Sequence, residues 1–96
     1  MRAEEILKDA NESSDSERFD RLYDWVIDRY NTNKHDDIKY IMRLLNRPNQ
    51  SRGNIRTVLM AIKPFLSHLP ECIEIYGRLA SRASPWCHED KRTDIN

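Results

Sequence analysis

Apolar residues recur at three- and four-residue intervals along this chain, and polar breaks divide them into five runs, the pattern of amphipathic helices. Ala3, Ile6, Leu7 and Ala10 make the first run, about two turns long and too short to persist unless it docks on a larger body. Residues 11–16 form a polar break. Beyond it, Phe19, Leu22, Tyr23, Val26 and Tyr30 mark a helix over about 17–30, with Trp25 and Ile27 at the margins of the stripe. Asp20, Arg21, Asp24 and Asp28 take the opposite face, and helical spacing assigns the aromatics to the core. Ser14 and Glu17 have the spacing of a capping box, and Glu17 precedes Arg21 by one turn, as a favourable ion pair does.

Asp36 and Asp37 suit the positive end of a second main helix that runs to about residue 46. Ile38, Ile41, Met42, Leu44 and Leu45 form its buried stripe, and Pro48 stops it. Residues 48–53 read as a loop. Asn54 is the expected N-cap of a third helix, with Gly53 turning the backbone into it. Ile55, Val58, Leu59, Ile62, Phe65, Leu66 and Leu69 share one stripe, and Pro64 predicts a break after Ile62.

Pro70 suits the first position of a last helix to about residue 83, which turns Cys72, Ile75, Tyr76, Leu79 and Ala83 inward and leaves Ile73 and Ala80 at the edge. Glu74 and Arg78 are spaced to pair. Gly77 costs about 1 kcal/mol in a helix interior, which predicts a neighbouring helix in close approach there. Short loops between these helices favour a small all-α antiparallel or orthogonal bundle of four helices plus the short N-terminal one. The expected domain spans residues 1–84. Residues 85–96 read as a flexible charged tail in which Trp86 alone has much to bury.

Composition supports the helical reading. Among 96 residues there are two glycines and four prolines, too few for a turn-rich all-β chain, while apolar residues at 39% suffice for a core. A net charge of zero conceals an uneven distribution. Residues 1–37 hold six basic and eleven acidic side chains, whereas residues 38–70 hold six basic and no acidic ones. The acidic N-terminal part therefore either neutralises the basic middle within the fold or leaves a basic surface for an acidic partner. Two cysteines make no disulfide framework, and no secretory or membrane-spanning run stands out, so the expectation is a soluble protein of a reducing compartment, the cytoplasm.

Little in the chain carries chemistry. Cys87 and His88 are adjacent, but Cys72, His35 and His68 are scattered, so paired zinc-ligand spacing is missing and no metal is expected. His35 beside Asp36 reads as a helix-start pair, Gly53 alone makes no phosphate loop, and no activated nucleophile is recognisable. A non-enzymatic protein without a cofactor is expected. Its candidate surface is two basic faces: Lys39, Tyr40, Arg43 and Arg47 on the second main helix, and Arg52, Arg56, Met60 and Lys63 on the third. Arg, Tyr and Met are enriched at interfaces, and a helix start at Asn54 adds positive potential for a carboxylate or phosphate. The expected function is that of a regulator or adaptor that binds an acidic protein.

The alternative is a helix-turn-helix nucleic-acid binder. Leu44, Ile55 and Val58 have the separations such a motif buries, and Arg52, Asn54, Arg56 and Thr57 would face a groove. Leu45, Pro48 and Gln50 oppose it by occupying positions that normally hold a small or an apolar residue, and the loop exceeds the usual turn. Gly77, Ala80 and Ser84 serve either internal packing or a homo-oligomer contact.

Overall fold

The computed structural model describes residues 1–48 and 50–83. They form five α-helices and two short 3₁₀ segments: α1 (Ala3–Asn11), α2 (Asp15–Asn31), α3 (His35–Leu45), α4 (Arg52–Ile62), 3₁₀ turns over Lys63–His68 and Pro70–Cys72, and α5 (Ile73–Arg82). Among the described residues there is no strand. The protein is a small all-α bundle with a short N-terminal helix laid on it. The tail 85–96, with Trp86, Cys87 and His88, and the small residue Ser84 lie outside the described residues.

The stripes meet in one core. Leu22 and Val26 of α2, Ile38, Ile41, Met42 and Leu45 of α3, and Ile55, Val58, Leu59 and Ile62 of α4 are all sealed from water. Each burial of this kind contributes about 1.5–3 kcal/mol before conformational entropy is set against it. α4 lies chiefly along α2, with α3 and α5 closing the other sides. α1 folds back on α2 and covers the rest of the core with Ala3, Ile6, Leu7 and Ala10. Pro64 ends α4 at Ile62, and the chain tightens into the 3₁₀ turn where Phe65 packs on Tyr30 with tilted rings, centroids 4.3 Å apart. Asn33 ends the α2–α3 turn at φ 62°, a left-handed value that asparagine tolerates better than most side chains.

Several expectations are corrected. α2 begins at Asp15, and the side chain of Ser14 donates to the Glu17 carboxylate at 2.9 Å instead of capping the backbone. Trp25, expected at the margin of its stripe, is buried because its indole reaches the chain start, while Tyr23 is 37% exposed and stacks on Phe19 at 5.3 Å. α4 starts at Arg52, capped by Ser51 Oγ, which accepts from the Asn54 amide at 3.3 Å. Asn54 is thus the third residue of the helix. Pro70 opens a 3₁₀ turn ahead of α5, which leaves Ile73 53% exposed. Gly77 has no close neighbour: a Cβ there would meet nothing within 4 Å.

Candidate functional site

Seven of the eight candidate residues fall into three neighbourhoods along α3 and α4, and Arg47 lies in the loop between those helices. Tyr40 on α3 is 43% exposed and lies beside α1, where its hydroxyl donates to Glu4 Oε2 at 2.9 Å. Together with Met1, Trp25, Arg29 and Asp37 it lines a recess of about 560 Å³. The start of the chain is held in that recess: Trp25 Nε1 and Arg29 Nη2 each donate to the Met1 carbonyl at 2.8 Å. The Arg29 guanidinium lies 4.6 Å from the Trp25 ring centre, a cation–π contact, and pairs with Asp28 and Asp37. Its Nε is 3.3 Å from Asp37 Oδ2, close enough for attraction but without the alignment of a hydrogen bond.

Lys39 and Arg43 form the second neighbourhood, across a cleft from Glu71, Glu74 and Arg78. Here acidic residues of the C-terminal part, not the N-terminal part, oppose the basic face. Near Arg47, the next cation along the chain, lies Glu4. Its carboxyl is held below the ordinary value by its backbone hydrogen bond first, then by Tyr40, with Arg2 and Arg47 adding attraction. The same bond raises the Tyr40 phenol. Arg47 itself sits in the loop after α3 and is exposed. Its carbonyl accepts from Arg82 Nη2 at 2.6 Å, and Leu45 O accepts from Arg82 Nη1 at 2.7 Å. A guanidinium from α5 thereby serves the last carbonyl of α3 and one in the loop beyond it, at a helix end where the dipole also favours a cation.

The third neighbourhood is the outer strip of α4. Arg52, Arg56 and Lys63 are exposed, and Met60 between the last two is 50% exposed. Arg56 and Met60 border a cleft shared with Asp15, Arg18, Gly53 and Thr57. The absence of a side chain at Gly53 admits Arg18, whose Nη1 occupies the space a Cβ would take. From there Arg18 Nε reaches the Ala10 carbonyl at 3.2 Å and Nη1 reaches Asp15 at 3.3 Å, so this one side chain ties together the ends of α1, α2 and α4.

Two residues expected to face outward on α4 do not. Asn54 is 1% exposed, and its Nδ2 donates to the Leu7 carbonyl of α1 at 2.9 Å, while its Oδ1 is buried with no partner. Thr57 Oγ1 donates to the Gly53 carbonyl at 2.8 Å. Of the proposed groove-facing set, Arg52 and Arg56 remain exposed. Among the described residues no three His, Cys, Asp or Glu side chains gather as metal ligands would. Cys72 is buried, and desolvation first, then Glu71, raises its thiol above the ordinary value. No described helix is long and apolar enough to cross a membrane.

Trp25, Arg29 and Arg82 were the residues that periodicity missed. Trp25 falls at the edge of its stripe, and the two arginines reach carbonyls 28 or more positions away, a range that no local spacing reveals. Comparison with protein-family models, curated proteins and solved structures gives no match.

Proposed function

We propose that the protein is a non-enzymatic regulator or adaptor that binds an acidic protein along the outer strip of α4. The observation that supports this is the half-exposed Met60 flanked by Arg56 and Lys63, with Arg52 one turn before. An unbranched, polarisable side chain among cations offers an apolar anchor inside a charged rim, the anatomy of a protein interface. The helix start behind it adds positive potential, because α4 has no acidic residue in its first turn. Arg47 and the Lys39–Tyr40–Arg43 face precede this strip in sequence and take a secondary role, since Glu4, Glu71 and Glu74 lie beside them.

A protein ranks above nucleic acid as partner because Asn54 and Thr57, two residues a groove reader would use, bond inward. Titration of the protein into labelled duplex and single-stranded DNA at two salt concentrations tests that ranking. The expected result is no binding at low salt. Tight binding with a steep negative salt slope would establish the nucleic-acid reading instead.

A further inference from the structure

The turn between α1 and α2 carries a second, independent feature. α1 lies antiparallel on α2, and four polar contacts define the register: Met1 with Trp25, Met1 with Arg29, Asp9 with Arg21, and Ala10 with Arg18. The midpoints of these pairs along the chain are 13, 15, 15 and 14. The hairpin is therefore centred on Ser14. Such a hairpin has an exact counterpart between two chains: two straightened helices crossing antiparallel at residue 14 make the same pairs in trans, each copy's α1 on the other's α2.

The turn is poised for that exchange. It contains neither glycine nor proline, and Glu12 at φ −91° and ψ −3° still donates from its amide to Lys8 O at 3.2 Å. Ser14 has φ −66°, already helical, and its carbonyl accepts from Arg18 N at 2.8 Å as in a helix. Its ψ of 163° is extended, so the backbone leaves the helical path there. Rotation there, with Ser13 following, fuses the two helices into one rod from Ala3 to Asn31, roughly 43 Å long at 1.5 Å per residue. A straight rod carries α1 away from its own groove. Alone, this nine-residue helix does not hold its shape, so it needs an equivalent groove, and a second copy supplies one with the same Leu7, Ala10, Trp25 and Asn54 contacts.

We infer that this chain forms a two-fold symmetric dimer by exchanging α1, with Ser14 as the hinge. The inference does not depend on the α4 strip. The test is to refold the full chain from urea at high protein concentration and measure molar mass by light scattering after size exclusion. The wild type should give a dimer fraction that persists on dilution. Ser13→Ala with Ser14→Ala, which favours a continuous helix at four positions per dimer, should raise the association constant about tenfold or more. Ser14→Pro keeps the observed φ but breaks a rod, so it should lower that constant at least about tenfold. Ser14→Gly, which leaves the turn unrestricted, should move it in the same direction. Monomer alone for both the wild type and the double alanine variant would overturn the inference. So would a dimer left unchanged by Ser14→Gly while circular dichroism stays native.

Discussion

Gly77 shows how far a single residue was legible. Its cost inside a helix follows from composition alone, but the compensation inferred for it, a close helix crossing, is absent, because α5 turns that side to open water. Gly77→Ala should therefore stabilise the protein by up to about 1 kcal/mol, read as a higher urea midpoint at unchanged slope. A lower midpoint would mean that a neighbour does occupy that space. Arg82 is the opposite case, a residue with no signature in the sequence and two backbone partners in the fold. Arg82→Met keeps much of the stem's packing and removes both donors. It should cost about 1–3 kcal/mol, given that bonds from a charged group are stronger than neutral ones. A chemical-denaturation curve indistinguishable from wild type would show that water serves those carbonyls equally well.

At the scale of elements, periodicity located all five helices, since each needs one apolar stripe to reach the core. It misplaced the start of α4, where Ser51 and not Asn54 bonds the backbone, and it could not show that the Ser14 side chain bonds the Glu17 carboxylate instead of a backbone amide. It also could not show what holds α1, whose tethers are long-range: Asn54 to Leu7, Trp25 and Arg29 to Met1, Tyr40 to Glu4. The last of these makes α1 docking depend on pH. Glu4 is lowered in the folded state, so its contribution is present above the usual carboxylate range and is lost as pH falls through its folded value. Tyr40 is raised, so its contribution is present below the usual phenol range and is lost as pH rises through its folded value. Tyr40→Phe should thus lower the urea midpoint near pH 7. The difference from wild type should shrink below roughly pH 4 and above roughly pH 10. A constant difference across that range would exclude the Glu4–Tyr40 bond as its source.

At the scale of the molecule, the charge segregation in the sequence only partly survives folding. Lys39 and Arg43 share a cleft with Glu71 and Glu74, and Arg47 lies within electrostatic reach of Glu4, so the α3 side of the basic middle has carboxylates beside it. The α4 strip keeps Arg52, Arg56 and Lys63 exposed around Met60. Periodicity groups the eight residues into two adjacent faces because it orders them along the chain but not around the bundle. The proposed binding function rests on that strip. Met60→Ala should weaken partner binding by a factor of about ten with no change in fold, since an apolar anchor at an interface centre contributes on the order of 1–2 kcal/mol. The most direct test compares the wild type with Arg52→Glu/Arg56→Glu, both native by circular dichroism, in affinity capture from nuclease-treated lysate of the source organism. A protein should be retained by the wild type at physiological salt and be absent from the charge-reversed variant. The same protein captured by both, or capture that disappears with nuclease, would contradict it.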